Sequence, residues 1–345
     1  MEPLVSILIP AFNAQALIGD ALDSALAQTW GRKEIIVVDD GSKDQTLSVL
    51  KRFDSKLQVI TQAHQGAAAA RNRAFAASKG DYIQWLDADD LLAPDKIEKQ
   101  MQLAQVCGSK KTLFSSAWGW FMYRTPKASF IPTTLWRDLV PAEWVIEKWT
   151  HNVYMQTATW LVTRELTEAA GTWDSRLLGD DDGEYFCRVV LASNGTRFSP
   201  DAKVFYRKLG LSSLSYVGLS NEKLDAQFLS MKLQIGHLRR TEDSARVRAA
   251  ALNYLQSWLA SFYPNRVDLV EQAQELARSL GGCLQTPRFS WKYAWIAALL
   301  GPAVAKRASI LLPGLRASAR RVWDKALFNL WTLIFHWFSF FNGEK

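Results

Sequence analysis

The stretch Tyr82-Ile83-Gln84-Trp85-Leu86-Asp87-Ala88-Asp89-Asp90 decides how the chain is read. A short apolar run ends in three aspartates within four positions. A run of that length reads as a buried strand, and acids just past its C-terminal end stand where open α/β sheets take ligands. Asp87 and Asp89 flank the small Ala88, so two carboxylates can converge on one hard cation while diphosphate oxygens complete its octahedron. The plain alternative is a solvated acidic turn ahead of Leu91 and Pro94. A D-x-D pair alone does not separate the two readings.

The upstream chain supplies the sheet. Leu4 to Pro10 is a first apolar strand closed by proline, and Asn13 is placed to cap a helix. Leu17, Ile18, Ala21, Leu22, Ala25 and Leu26 then recur at helical spacing. Glu34 to Val38 is a second strand, with Asp39-Asp40-Gly41-Ser42 at its end. A helix through Leu47, Leu50 and Phe53, a strand near Leu57 to Thr61 and an alanine-rich helix from Gly66 to Gly80 lead into the opening stretch. Apolar strands with little alternation, separated by helices, predict a parallel sheet covered on both faces. Three loops, Pro10–Asn13, Asp39–Ser42 and Asp87–Asp90, leave one edge of it. No G-x-G-x-x-G follows the first strand and no G-x-x-x-x-G-K-[ST] occurs, which removes the dinucleotide fold and the P-loop. The adjacent aspartates follow the second strand, so an aspartate-nucleophile phosphatase is also excluded.

Taken together and in order, VSILIPAFN (5–13), EIIVVDDGSKDQT (34–46), GAAAARNRA (66–74) and GDYIQWLDADD (80–90) closely resemble the family 2 glycosyltransferases of GT-A fold. The resemblance covers about the first 110 residues and continues patchily to about residue 215. It implies a mostly parallel α/β sheet of GT-A type, with helices on both faces, over residues 1–218. It further implies that Pro10, Phe12, Asn13 and Asp40 line the base and ribose pocket of a nucleotide-sugar. Phe12 stands where the family more often has Tyr; a stacking ring and a core aromatic are both open for it. For Asp40, an Asx turn with Gly41 is compatible with ligand contact. Arg71 would lie near the nucleotide or diphosphate, or else be an exposed helix arginine. Asp87 would contact ribose or sugar, and Asp89 would bind Mg²⁺ or Mn²⁺.

Further on, Thr112 to Ser116 is a fifth strand, followed by Trp118, Trp120, Phe121 and Tyr123, read mostly as core. Three aspartates, Asp180-Asp181-Asp182, precede an amphipathic helix, where acids also favour the helix dipole. The family has an acidic pair here, six residues before an arginine, its second acid the catalytic base. Counting back from Arg188 gives Asp182, with Asp181 as partner. Inverting transfer needs such a carboxylate to take the acceptor hydroxyl's proton. Arg207, in the segment Val204–Ser215 that resembles the family's closing strand and loop, would pair with the diphosphate or be a sheet-edge arginine. The four histidines are scattered and receive no role.

Three distant cysteines, Cys107, Cys187 and Cys283, fit neither a disulfide framework nor a zinc site and point to a reducing compartment. The N-terminus lacks the pattern of a secretory signal. Between Thr286 and Lys345 stand nine Lys/Arg and two acids, so this segment carries the chain's whole excess of +7, together with five of its fifteen tryptophans. Residues 219–285 read as a helical extension with breaks near Thr241 and Pro264, and residues 286–345 as a basic, Trp-rich tail interrupted at Gly301-Pro302 and Pro313-Gly314. The uncharged run Ala326–Gly343 is 18 residues with several polar ones, against about 20 apolar residues for a span. With Arg316, Arg320, Asp324, Asn329, Thr332 and His336 on one side and Val322, Trp323, Leu327, Leu330, Ile334, Trp337, Phe338 and Phe341 on the other, it has the profile of a helix lying in a membrane interface. Packing on the protein or a partner, and a true span, are the other readings.

The expectation is therefore a cytoplasmic enzyme peripheral to the cytosolic face of a membrane. It would move a sugar from a nucleotide diphosphate to a hydroxyl of a glycan or lipid-linked acceptor, with no nucleic acid involved. Direct transfer to a polyprenyl phosphate, which needs no base, and a non-catalytic nucleotide-sugar-binding subunit of a membrane synthase complex are the rivals.

Overall fold

The computed structural model describes residues 2–208 and 220–342. Four strands and three helices alternate first: β1 (Val5–Ala11), α1 (Ile18–Leu26), β2 (Lys33–Asp39), α2 (Thr46–Leu50), β3 (Gln58–Thr61), α3 (Ala67–Ala77) and β4 (Tyr82–Trp85). The strands lie side by side in the order β3-β2-β1-β4, all parallel, with Val5 opposite Lys33 and Tyr82. Side chains alternate across a strand, and here both directions are apolar. Val5, Ile7, Ile9, Ile35 and Val37 point into one core, with Ile18, Leu22 and Ala25 of α1. Leu8, Ile36, Val38, Ile83 and Trp85 point into the other, with Ala68, Ala70 and Ala74 of α3. The buried parallel sheet expected from the unbroken apolar runs is therefore present.

The chain then adds β5 (Leu91–Leu92), α4 (Lys96–Cys107), β6 (Thr112–Phe121), β7 (Ser129–Phe130), α5 (Pro141–His151), β8 (Val162–Thr163), α6 (Arg164–Ala170), α7 (Asp181–Ala192) and β9 (Gly195–Arg207). β8 closes the first sheet antiparallel to β4. The strand at Thr112 belongs to a second sheet, ordered β5-β9-β6-β7, and runs on through Trp118, Trp120 and Phe121. β5 returns the chain from the aspartate loop onto Val204 and Phe205 of β9, so that loop is pinned between the two sheets.

Helices α8 (Asn221–Thr241), α9 (Ala245–Phe262) and α10 (Val267–Ser279) follow, with breaks where the sequence places them. They do not form a core of their own. Phe228, Tyr254, Phe262 and Leu269 belong to the same buried cluster as Trp85, Trp149 and Tyr185, and the Trp149 and Tyr254 rings stack at 5.2 Å.

The tail differs from expectation at Pro313. α11 (Trp291–Leu300) stops at Gly301, but α12 (Pro302–Asn342) continues through Pro313. A proline forfeits one backbone bond and crowds the preceding turn, and here the helix absorbs that loss. Of eighteen exposed large hydrophobic residues among those described, ten lie between Trp291 and Trp323. On α12, Val304, Leu311, Leu315 and Val322 recur at intervals of seven, four and seven, which is one face of a helix. The opposite side docks in part: Asp324 accepts from the Tyr123 amide at 3.0 Å and pairs with Arg124 at 2.6 Å. Residues 209–215 of the closing segment, and the side chains of Arg316, Leu330, Thr332, Ile334, His336, Trp337, Phe338 and Phe341, lie outside the described residues. No helix among the described residues is long and apolar enough to cross a membrane.

A shared core has a thermodynamic consequence. Phe228 is buried on α8 edge-on to Phe262, and Phe228→Ala should cost about 3–5 kcal/mol. Because α8 and the sheet are one unit, denaturant unfolding should remain a single transition by both tryptophan fluorescence and far-UV dichroism. Two separated transitions would show that the helices fold apart from the sheet.

Candidate active site

Parallel strands deliver their C-terminal loops to one rim, and the candidate residues gather there. Pro10 is half-buried near the end of β1, opposite Val38 of β2. Asn13 does not cap α1, whose first turn follows Leu17. It takes a left-handed backbone (φ 48°), receives the Lys43 amide on its side-chain oxygen at 2.8 Å and donates its own amide to Ser42 Oγ. Asn tolerates that conformation better than most residues, so it staples the first rim loop to the second.

Asp40 is only 2% exposed. Its two oxygens accept from Gln62 Nε2 (2.7 Å), the Gln65 amide (2.9 Å) and the Gly66 amide (2.8 Å), with His64 Nδ1 at 2.8 Å. Asp40 thus shapes the loop entering α3. The exposed surface above it is Phe12, 40% exposed, stacked on His64 at 4.0 Å with planes 21° apart. Phe12 is therefore not a core aromatic. His64 had no sequence signal beyond its place three residues past β3, at the same rim.

Arg71 is the centre of the cluster. Far from being an exposed helix arginine, it is 6% exposed on α3. One guanidinium nitrogen bonds Asp87 at 2.8 Å and the other Asp181 at 2.6 Å. Its carbon lies 4.4 Å from the Trp173 ring centroid, a cation–π contact. Trp173 is held in turn by Asn72, which exchanges two hydrogen bonds with its backbone. Burial acts to lower the Arg71 pKa, but Asp181 and Asp87 outweigh it and hold the group firmly charged.

A second arginine organises the rest of the aspartate loop. Arg207, 5% exposed, donates Nε to the Asp89 carbonyl (2.9 Å), Nη2 to Asp20 (2.8 Å) and its amide to Asp90 (2.8 Å). Asp90, which Gln156 also contacts, is buried and pushed well up by burial and by Asp89 and Asp87. Arg207 is neither free at a sheet edge nor facing outward; it braces the loop from behind.

Asp182 sits in the first turn of α7, half-buried, with Thr157 Oγ1 3.4 Å from its carboxylate. Burial, then Asp181 and Asp180, push it up to about 7, against the pull of Lys148 and Arg71. Tyr154 faces it, its own pKa raised by burial and by Asp182. Lys148, Tyr154 and Thr157 carry no sequence signal, because they come from scattered segments, and Asp180 stands in the aspartate triplet without a role of its own.

Among the described residues no three His, Cys, Asp or Glu side chains form a metal cage. One carboxylate with diphosphate oxygens suffices for a hard divalent cation, however. Asp89 fits that case: burial and then Asp87 push its carboxyl up to about 6, and Arg207 takes its backbone carbonyl rather than its carboxylate. A cation would reverse this repulsion.

The two-sheet α/β architecture with acids at one rim is that of the GT-A glycosyltransferases. A solved structure of Staphylococcus aureus TarS (residues 1–349, in complex with UDP-GlcNAc) superposes with a TM-score of 0.65 over 82% of this chain and 81% of that one, at 16% identity. Residues 6–111 match the profile "Glycosyl transferase family 2", and this segment is a family 2 glycosyltransferase domain. An uncharacterized glycosyltransferase of Rickettsia typhi is 40% identical over 112 residues, which is 32% of this chain and 35% of that protein. A Bacillus subtilis glycosyltransferase, TuaG, named for teichuronic acid biosynthesis, is 39% identical over 105 residues, 29% of this chain and 42% of that protein. The chain thus spans only about a third to two fifths of these relatives' lengths.

The charge balance at Arg71 can be measured. Arg71→Gln leaves Asp87, Asp181 and Asp182 facing one another without their cation, an expected cost of about 3–5 kcal/mol at pH 8. Asp181 and Asp182, held above the unfolded value of about 3.9, take up protons in the folded state first, so the deficit should shrink as pH falls through 7 towards 5. Denaturant titrations at both pH values test this, and an equal deficit at each would refute the assignment.

Proposed function

We propose that this chain is an inverting glycosyltransferase that moves a sugar from a nucleotide diphosphate to an acceptor hydroxyl. The observation that carries the reading is the Arg71 bridge. It joins the acid loop after β4 to the acid turn opening α7, beside a carboxylate raised to about 7. In this reading residues 1–218 hold the reaction, residues 219–285 are a helical extension packed on it, and residues 286–345 are a membrane-interface tail.

The donor base stacks on Phe12 and His64, with Pro10, Asn13 and the Asp40-braced loop forming the floor. Asp87, steadied by Arg71, faces ribose or sugar. Asp89 would hold Mg²⁺ or Mn²⁺, which when bound would offset charge on the departing diphosphate. Arg207 keeps the Asp89 backbone in place and adds positive potential behind the phosphates. Asp182 takes the acceptor proton as the oxygen bonds the anomeric carbon, while the bond to the diphosphate breaks and carries its electron pair away. A base poised near 7 matches that task, and Thr157 orients it. The likeness of the rim segment to TuaG supports a glycan or lipid-linked acceptor in polysaccharide synthesis.

Turnover should rise with pH through about 7 as Asp182 loses its proton. Asp182→Asn should lower it at least a hundredfold, and Asp89→Asn should abolish both turnover and Mn²⁺ dependence. UDP or GDP release from UDP-N-acetylglucosamine and GDP-mannose measures this. An Asp89→Asn protein with full, metal-dependent turnover would defeat the enzyme reading. A fully active Asp182→Asn would favour transfer to a phosphate acceptor, which needs no base.

The exposed stripe of α11 and α12 supports a peripheral seat on the cytosolic face. Trp291 (81% exposed), Trp295 and Leu299 recur every four residues, and Lys292, Arg307, Arg320 and Lys325 accompany the stripe. Basic and aromatic residues of this kind suit an anionic lipid surface. A Trp291→Ser, Trp295→Ser, Leu299→Ser triple variant should lose at least tenfold of its binding to phosphatidylglycerol vesicles in flotation. An unchanged bound fraction would rule the seat out.

A further inference from the structure

The helices beyond the second sheet reach back to the turn in front of the base. Asp180 precedes α7 with a left-handed backbone, φ 53°, a conformation that a non-glycine residue holds only when its surroundings impose it. What imposes it comes from α8 and α9. Ser230 Oγ (2.6 Å), Gln234 Nε2 (2.8 Å), Gln227 Nε2 (3.2 Å) and Tyr254 OH (3.4 Å) converge on Asp180 Oδ2. Ser230 also lies 3.1 Å from the Asp180 carbonyl. Behind them Lys148 Nζ of α5 donates to Gln234 Oε1 at 2.9 Å, so a buried cation reaches the Asp180 carboxylate through one amide.

The same turn is braced twice more. His237 of α8 meets Glu184 at 2.9 Å, and Gly183 packs so closely that a Cβ there would collide with the Asp180 carboxylate. Such a buried network of neutral donors around one charge specifies a single geometry. Asp181 and Asp182 follow directly, one reaching Arg71 and the other facing Thr157.

We infer that Ser230, Gln234 and Tyr254 are positioning residues for the transfer: from α8 and α9 they hold the Asp180 turn that sets where the Asp182 carboxylate stands. The inference rests on Asp182 being the base. The helical extension is then part of the reaction machinery, although it touches no reacting atom. Besides Asp180 and Asp181 on its own segment, Asp182 feels Arg71 from α3 and Lys148 from α5, and Tyr154 faces it. Removing the Asp180 charge takes away one like charge, which makes Asp182 easier to ionise.

The test uses the full chain, UDP-N-acetylglucosamine and GDP-mannose with Mn²⁺, and a Ser230→Ala, Tyr254→Phe double variant that removes two donors while keeping the Tyr254 stack on Trp149. Turnover should fall about tenfold or more, as small displacements of reacting groups cost, with UDP affinity by calorimetry unchanged. Amide exchange at Asp181–Glu184 should quicken, and Ser230→Thr, which keeps the hydroxyl, should retain activity. Asp180→Asn should move the acid limb of the pH profile to lower pH. Wild-type turnover and unaltered exchange in the double variant would overturn the inference, as would equal losses of turnover and UDP affinity. Asp182→Asn run in parallel separates the failures: if it is inactive while the double variant is not, only the clamp falls. If Asp182→Asn is active, the base reading falls and takes the clamp with it.

Discussion

The Arg71 guanidinium, buried between Asp87 and Asp181, is the constraint from which the rim takes its shape. The two carboxylates come from segments about a hundred residues apart, and burial and the Asp87 charge push Asp181 up while Arg71 pulls it back. A buried charge that loses its partner is far more costly than an ion pair that was never built. The pair is therefore a poor source of net stability and a strong source of registry. It dictates how α3, the loop after β4 and the first turn of α7 must meet. Trp173 closes the back of the guanidinium, and Asn72 fixes Trp173.

Arg207 applies the same principle from the other sheet. It does not bond the Asp89 carboxylate but takes the Asp89 carbonyl. Asp89 and Asp182 are both held above the ordinary carboxylate range by burial and neighbouring acids, against the pull of Arg71.

How much of this was legible in the sequence follows from distance along the chain. The first sheet could be read because Val5–Ala11, Lys33–Asp39 and Tyr82–Trp85 are continuous apolar runs with punctuation at their ends. The gathering of Pro10, Asp40 and Asp87 follows from parallel topology alone. Asn13 was misjudged because a cap and a left-handed staple use the same side chain, and the choice depends on Ser42 and Lys43 across the rim. The roles of His64 and Asp180 could not be read for a related reason: they are set by Phe12 in one case and by α8 and α9 in the other. Pro313 looked like a break because local propensity was the only information, whereas α12 runs on through it.

The C-terminal third then divides by where its apolar surface goes. α8 to α10 bury Phe228, Tyr254 and Leu269 in the core that holds Trp85 and Trp149, so they are structurally inseparable from the rim. Among the described residues, α11 and α12 leave most of their large apolar side chains in solvent, and α12 is tied back by Lys306 on the Ala260 carbonyl and, further along, by Phe328 against Tyr123 (6.2 Å) and Asp324 to Tyr123 and Arg124. That tie lies just beyond Phe121, which pairs in the sheet with Arg207. A surface that seats the apolar stripe would thus bear on the strand pair that carries Arg207 rather than on a distant appendage. The same two strands would link whatever lies beneath the tail to the loop that presents Asp89, which gives the position of the tail a mechanical meaning that its composition alone does not.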